Sequence, residues 1–218
     1  MNENTASQRQ RRRRKETRPQ ELTSAALALF VEKGFAATKL DDVAARAGVS
    51  KGTLYLYFDS KEALFKAVIQ EGVVPAIAAG EALLDEHDDP VELLRAILDG
   101  WWERIGSTEL GGIPKLMMSE ARNFPDVAVY YHQVVIQRGM GLIRVAISRG
   151  IERGIFREVD LETVGSVLIA PLLHLALWRH SFASCCGPDT DVERYLQTYF
   201  DVVLDGLRVQ PLRSGDAR

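Results

Sequence analysis

Cysteine is scarce in this 218-residue chain and occurs only at the neighbouring positions Cys185 and Cys186. Adjacent cysteines rarely bridge each other without strain, so we expect reduced thiols and no disulfide-stapled, secreted fold. The longest apolar runs, at 72–80 and 167–176, are too short or too interrupted for a transmembrane span. The basic N-terminus is not followed by the apolar core of a signal peptide. These absences predict a protein of the cytoplasm that does not enter a membrane.

The chain also lacks the residue patterns of catalysis. Asp41 and Asp42 would point apart on a helix, and His174 and His180 would diverge around one. No glycine-rich loop of the phosphate-binding kind occurs. We therefore expect no enzyme activity, no metal site and no cofactor.

Charge is divided unevenly along the sequence. Residues 1–70 contain 13 Lys and Arg against 8 Asp and Glu, whereas residues 71–218 contain 14 against 22. A basic front end on an acidic body indicates that only the front end meets a polyanion. The run from Arg9 to Lys15 is either a solvated, disordered tail or an arm that becomes ordered against DNA phosphates.

Most of the sequence has the apolar periodicity of helices, and glycine and proline residues separate the helical segments. A first helix is predicted from Pro19 to Glu32, with Pro19 in its first turn and Gly34 at its end. Further helices are predicted at about 38–46, 50–58, 60–86, 90–106, 110–122, 125–153, 161–182 and 190–208, with disturbances at Pro75 and Pro171, and with Thr38 (paired with Asp41), Ser50, Ser60 and Thr190 as caps. No strand-like alternation competes, so the predicted fold class is all-α.

Two short helices between Thr38 and Phe58 have the spacing of a helix-turn-helix, with Gly48 in the turn. Gly52 lies in the second of these helices, where glycine costs roughly 1 kcal/mol relative to alanine. Close approach to DNA would offset that cost, because any side chain at this position would collide. The segment is therefore predicted to enter a DNA major groove.

Residues 18–66 resemble the DNA-binding domain of the tetracycline-repressor (TetR) family. The matching residues are Ala25-Ala26-Leu27-Ala28-Leu29-Phe30, Gly34-Phe35, Thr38, Val43-Ala44, Ala47-Gly48-Val49-Ser50, Gly52-Thr53-Leu54-Tyr55, Tyr57-Phe58, Lys61-Glu62 and Leu64. They extend over about a quarter of the chain, and Tyr57 stands where the family often has histidine.

The resemblance implies a three-helix DNA-binding domain followed by a helical bundle for effector binding and dimerisation. We expect a basic, disordered arm at 1–15, a DNA-binding domain at 16–76 with its helix-turn-helix at about 38–58, the bundle at 77–209 and a frayed tail at 210–218. The implied function is a homodimeric transcriptional repressor. It would bind a palindromic operator in double-stranded DNA and be released by a small hydrophobic or aromatic effector.

The same resemblance assigns roles to the DNA-facing residues. Thr38 and Lys61 would contact phosphates, and Lys51 and Thr53 would reach base edges or adjacent phosphates. The two tyrosines would offer their hydroxyls to the DNA backbone. The full expected set is Thr38, Lys39, Ser50, Lys51, Gly52, Thr53, Tyr55, Tyr57 and Lys61.

Large side chains on inward-facing helices are the candidates for the effector pocket, although each could simply fill the core. They are Trp101, Trp102, Met117, Met118, Tyr130, Tyr131, His174 and Trp178. A mostly apolar cavity with few polar groups would favour a hydrophobic effector.

Apolar stripes on the last two long helices are candidates for the dimer interface. The residues expected to face a partner are Val167, Leu168, Pro171, Leu172, Leu175, Tyr195, Tyr199, Val202 and Val203. The alternative function is an architectural DNA-binding protein with the same head and no ligand sensing. Discrete palindromic sites would favour a repressor, and dense coating of DNA would favour the alternative.

Overall fold

The computed structural model describes residues 3–186 and 191–209, with the side chains of 18–183, 185–186 and 191–209. The predicted all-α class is confirmed, since no β-strand occurs among these residues. The α-helices are α1 (Glu3–Lys33), α2 (Leu40–Arg46), α3 (Lys51–Tyr55), α4 (Lys61–Val68), α5 (Val74–Glu86), α6 (Pro90–Trp101), α7 (Gly112–Glu120), α8 (Pro125–Tyr131), α9 (Gln137–Glu152), α10 (Val164–Ser181), α11 (Ala183–Cys186) and α12 (Val192–Leu207). We call α1–α4 the head and α5–α12 the body.

Helix α1 begins earlier than predicted. Its backbone is helical from Glu3, so Pro19 lies inside the helix instead of in its first turn. The stretch 3–15, predicted as a disordered arm, is part of this helix, because arginine, glutamine, lysine and glutamate are good helix formers. Residues 1–2 of that arm and the predicted frayed tail at 210–218 lie outside the described residues.

Side-chain caps set several helix starts. Ser50 accepts a hydrogen bond from the amide of Thr53, and Ser60 accepts one from that of Ala63, as predicted. The proposed cap at Thr38 is wrong, because α2 begins two residues later, after Lys39, and has no side-chain cap. Thr190 lies outside the described residues, and Asp191 caps α12.

The head is built around three phenylalanine rings from separate segments. Phe30 of α1 lies 5.1 Å from Phe35 and 5.3 Å from Phe65 of α4, measured between ring centroids. All three side chains are buried. Gly34 and Gly48 have φ values of 86° and 66°, a backbone region that glycine adopts without strain. Gly34 ends α1, and Gly48 forms the turn between α2 and α3. These two turns fix the position of α3 on the surface of the head.

Two tyrosines of α12 join that helix to α10 around Pro171. Proline has no amide hydrogen, so an α-helical turn around it lacks one hydrogen bond. The Tyr199 hydroxyl donates to the Leu168 carbonyl at 2.6 Å, and the Tyr195 hydroxyl donates to the Pro171 carbonyl at 2.9 Å. Helix α10 continues through Pro171 from Val164 to Ser181, and α12 packs on it at that point.

These contacts correct part of the predicted dimer interface. Four of the expected partner-facing residues are buried inside the protomer: Leu168, Leu172, Leu175 and Tyr199. Val167 and Val202 are different, since each is 68% exposed. The apolar stripes thus serve mainly the core of a single chain, and only their outer edges remain open.

Three π-helical turns interrupt the long body helices. They are Ile69–Val73, Trp102–Gly106 and His132–Ile136, and a 3-10 turn, Glu109–Gly111, precedes α7. The first joins α4 to α5, so that 61–86 forms one helical segment. Within the described part of the chain, this segment is long and apolar enough to cross a membrane by length and composition, contrary to expectation. In the fold it packs on α1, α6 and α9.

Candidate DNA-binding surface and effector cavity

Helix α3 presents an exposed basic and aromatic face. Lys51, Gly52 and Tyr55 are all exposed, whereas Leu54 between them is fully buried and anchors the helix. Lys51 forms an ion pair of 2.9 Å with Asp41 of α2, which raises the pKa of its ammonium. This ion pair joins the two helices at their outer edge, and its exposed position lets a phosphate compete with Asp41.

The other predicted DNA-facing residues near α3 differ in their surroundings. The hydroxyls of Ser50 and Thr53 lie 2.8 Å apart at the start of the helix, on the exposed side. Lys39 is exposed just before α2. Tyr57 is half-buried and packs against the head core. A Cβ atom added to Gly52 would lie 3.9 Å from Ser50 Oγ, so nothing in the protein requires glycine there.

Thr38 is not available to DNA, which corrects the phosphate contact predicted for it. The residue is 1% exposed. Its hydroxyl lies 2.7 Å from the carbonyl oxygen of Gly34 and 3.2 Å from that of Leu29, and either oxygen can accept its one proton. Thr38 thus ties the loop before α2 to the end of α1 and acts within the fold.

Lys61, for which a phosphate contact is predicted, makes three hydrogen bonds within the protein. Its Nζ donates to the carbonyl oxygens of Phe35 at 2.6 Å and Thr38 at 3.1 Å. A third hydrogen bond, of 3.1 Å, goes to Ala36. The ammonium also lies 4.6 Å from the ring centroid of Phe35 and 5.8 Å from that of Phe124. Partial burial lowers the pKa of Lys61. These contacts fix the loop 34–38.

A cavity of about 570 Å³ lies in the body between α5, α6, α7, α8, α9 and α10. Its size is within the roughly 300–1,000 Å³ range of small-molecule pockets. The lining is Val73, Ala76, Ile77, Gly80, Leu83, Ile97, Leu98, Gly100, Trp101, Arg104, Ile105, Leu110, Ile113, Pro114, Met117, Met118, Ala121, Ala128, Tyr131, His132, Val135, Ile136, Gly139, Met140, Leu142, Ile143, Ser166, Ile169 and Leu173. Aliphatic, aromatic and methionine side chains dominate this surface.

Half of the predicted pocket residues line this cavity: Trp101, Met117, Met118 and Tyr131. The others do not. Trp102 is buried in a separate core cluster, and the Tyr130 hydroxyl donates to Gln70 at 3.0 Å on the outside. His174 is exposed and Trp178 half-buried, both on α10 away from the cavity.

Sequence reasoning missed the glycines in the cavity wall. Gly80, Gly100 and Gly139 occur on three different helices, and each lines the cavity. A Cβ atom added to Gly139 would meet no atom within 4 Å. Glycine is unfavourable inside a helix, so its recurrence in these body helices was a usable signal for internal space.

The Tyr131 hydroxyl is one of the few polar groups in this largely apolar lining. The side chain is buried, and desolvation raises its pKa far above the usual value, so the hydroxyl remains neutral. Among the described residues it has no hydrogen-bond partner. A buried tyrosine hydroxyl usually has one, so this donor is available to a molecule inside the cavity.

Helix α7 connects the cavity to the head. Met117 lines the cavity, and one turn later Glu120 Oε1 accepts a hydrogen bond of 3.3 Å from the Ala36 amide. Phe124, just beyond α7, packs edge-on against Phe35 with 4.4 Å between ring centroids. A displaced cavity wall therefore has direct contact with the loop that precedes α2.

Two family models match the chain. The model described as bacterial regulatory proteins of the tetR family matches residues 22–68, which contain the helix-turn-helix. A second, described as the tetracyclin repressor-like C-terminal domain, matches residues 84–184. The chain belongs to the TetR family. It is accordingly a DNA-binding transcriptional regulator.

Individual relatives of this TetR-family chain differ in how much of it they match. The repressor KstR2 of Mycolicibacterium smegmatis is 24% identical over 193 residues, which are 88% of this chain and 91% of KstR2. Three other curated transcriptional regulators are 36%, 41% and 58% identical, but the chain spans only 39%, 29% and 12% of their length. The specific function of the whole chain therefore cannot be inferred from any one of these relatives.

Solved structures reproduce the fold at low identity. A transcriptional regulator from Saccharomonospora viridis in complex with choline has a TM-score of 0.74 at 19% identity, covering 90% of this chain and all of that one. FadR from Bacillus subtilis in complex with stearoyl-CoA has a TM-score of 0.72 at 17% identity, covering 86% and 98%. Proteins of the same fold thus bind different ligands, choline in the first structure and stearoyl-CoA in the second.

The two lysines of the head are expected to respond differently to substitution. Lys51→Ala should weaken binding to an operator selected from random DNA and reduce the salt-dependence slope by about one, because a phosphate contact is lost. Lys61→Ala should leave the slope unchanged and lower the free energy of unfolding by about 1–3 kcal/mol, because three carbonyls lose a charged donor. Salt titrations and urea denaturation measure the two effects. An equal loss of slope in both variants would contradict the contacts assigned to Lys61.

Gly52→Ala should separate stability from DNA binding. Alanine is expected to stabilise the fold by about 0.5–1 kcal/mol, because the added methyl group meets open space and favours the helix. Operator affinity should fall, because that space faces the DNA. Gly141→Ala, in α9 and equally free of contacts, is the matched control that should stabilise without changing affinity. Unchanged operator affinity in Gly52→Ala would refute the close approach.

Proposed function

We propose that the protein is a homodimeric, ligand-responsive transcriptional repressor that a largely apolar effector releases from a palindromic operator. The observation that carries the proposal is the cavity of about 570 Å³, whose wall includes helix α7 and whose lining is mostly hydrocarbon. A void of this kind forfeits packing contacts, so an apolar occupant would gain both dispersion and burial energy. An architectural protein without ligand sensing would have no use for it.

Two contacts would carry the signal from the cavity to the DNA. The first is the α7 end, where Glu120 and Phe124 contact the loop 34–38. The second is the helical segment 61–86, which begins beside the DNA-binding surface and reaches the cavity at Val73 and Ala76. An effector that moves either wall would rotate the head relative to the body. Helix α4, capped by Ser60, begins the second of these routes, and α7 forms the first.

The operator geometry explains why such a rotation would release DNA. Two recognition helices must lie about 34–36 Å apart to enter successive major grooves on one face of the duplex. A palindromic operator requires a two-fold symmetric protein, so the proposal includes a homodimer. The effector must bind the released arrangement more tightly than the DNA-bound one, since equal affinity would shift nothing. By reciprocity, operator DNA would weaken effector binding by the same factor.

Filling the cavity by mutation should block the effector. Gly139→Leu adds a side chain where a Cβ atom meets open space, and we expect at least a tenfold loss of affinity for apolar compounds that stabilise the wild type in a thermal-shift screen. Gly141→Leu is the matched control, since it lies on the same helix, has open space and does not line the cavity. Release of the protein from its operator is measured by the fluorescence anisotropy of labelled operator DNA. Compounds that occupy the cavity without changing operator affinity would refute the repressor proposal.

The exposed edge of α10 should be needed for pairing. Val167→Glu places a charge on a side chain that is 68% exposed, and we expect a shift from dimer to monomer with weaker operator binding. Val129→Glu on α8, another exposed valine, is the control that should leave the dimer intact. Sedimentation velocity measures the oligomeric state. If the Val167→Glu variant remained dimeric, the interface would have to lie on another surface.

A further inference from the structure

We propose that the effector is an amphipathic anion, with an apolar chain inside the cavity and a carboxylate or phosphate oxygen bound by Arg104. This inference rests on the proposed effector function and narrows it to one class of ligand. It depends on the charge and the free hydrogen-bonding capacity of the cavity lining.

Arg104 is the charged residue of the lining, and no Asp or Glu accompanies it there. An apolar pocket with a few convergent polar groups uses those groups to orient its ligand. A cationic head group would be repelled by Arg104, and a neutral one could accept a hydrogen bond from the guanidinium but would lack the attraction between opposite charges. An anionic head group therefore complements this surface best.

The guanidinium of Arg104 is also nearly unused by the protein. Among the described residues it has no carboxylate within ion-pair distance, and Nη1 makes one long contact of 3.5 Å with the carbonyl of Gly100. Arg138, next to the lining residue Gly139, is the opposite case. It donates two hydrogen bonds of 2.9 Å to the carboxylate of Glu81. Arg138, which is paired with Glu81, lies outside the cavity lining, whereas Arg104 belongs to the lining and has no such pair.

Gly100 gives the Arg104 side chain its position. A Cβ atom added to Gly100 would lie 2.7 Å from Nη1, so the guanidinium occupies space that only glycine leaves on the preceding turn. Arg104 itself lies in the π-helical turn Trp102–Gly106, a kind of irregularity that is frequent at functional sites. The exposed guanidinium retains donors in the planar fork that binds carboxylate and phosphate oxygens in pairs.

Tyr131 adds a neutral donor to the same cavity. Its hydroxyl lacks a partner among the described residues and lies in the cavity lining, so an oxygen of the ligand can accept its hydrogen bond. A pure hydrocarbon would leave this donor unsatisfied, which disfavours an effector without oxygen atoms. Acyl carboxylates and acyl thioesters bearing phosphates share the required chemistry, an apolar chain with an anionic oxygen.

The test compares probes that share one chain and differ in head group. Dodecanoate, dodecanoyl-CoA, dodecanol and dodecyltrimethylammonium are titrated below their micelle concentrations into the full-length protein, with calorimetry for binding and operator anisotropy for release. We expect one or both anions to bind at least tenfold more tightly than dodecanol, and the cation to bind most weakly. Preference for dodecanoate identifies a carboxylate ligand, and preference for dodecanoyl-CoA identifies a phosphate-bearing one.

Variants at Arg104 and Gly100 test whether Arg104 recognises the head group. Arg104→Gln should remove the anion preference, about tenfold or more, and leave dodecanol binding unchanged, since a charge-assisted hydrogen bond is worth that much. Arg104→Lys should retain part of the preference. Gly100→Ala should reduce it by displacing the guanidinium.

The possible results separate this inference from the function it rests on. Equal binding of anion and alcohol, or an anion preference that survives Arg104→Gln, would overturn the anionic head group while leaving the repressor proposal intact. Failure of all four probes to bind would also overturn the ligand class assigned here. Anion binding that depends on Arg104 but never changes operator affinity would support the site and refute effector-driven release.

Discussion

The head and the cavity wall share one hydrophobic core, and the remaining features of the molecule depend on that sharing. The cluster that buries Phe35 and Phe65 of the head continues into Met117, Val127 and Tyr131 of the body. Protein interiors are close-packed, so a cluster of this kind transmits displacement and does not absorb it. Lys61 reinforces the arrangement through its three carbonyl contacts. The surface that faces DNA is therefore packed against the same rings as the surface that would face an effector.

A second consequence concerns how stability is distributed. The other large core cluster, around α6, α9, α10 and α12, is separate from the head, and the tyrosine hydrogen bonds to α10 belong to it. The cavity lies between the two clusters, since Ile97 and Ile143 line it from one side and Met117 and Tyr131 from the other. A ligand filling this space would alter the contact between two stable units without unfolding either. Switching transitions commonly use such an arrangement.

The sequence predicted what depends on local patterns and missed what depends on three-dimensional neighbours. Periodicity, Ser50, Ser60 and the glycine turns located the helices and the recognition helix, because capping and left-handed turns are local chemistry. The sequence did not predict the contacts of Thr38 and Lys61 within the head, because each links a loop to residues distant in sequence. The cavity was recognised through its large side chains. Its boundaries follow from glycines, whose effect appears only when neighbouring helices are placed.

The two ends of the proposed ligand would have different thermodynamic roles. The apolar chain would touch Met117 and Tyr131, which belong to the cluster shared with the head, so its contact energy would depend on the arrangement of the head. The Arg104 side chain is exposed and makes a single long contact with the protein, so its bond to a head group would depend less on the arrangement of the head. Only a difference in affinity between two states shifts their populations. We infer that the charged end selects which molecules bind, and that the chain decides whether binding releases DNA.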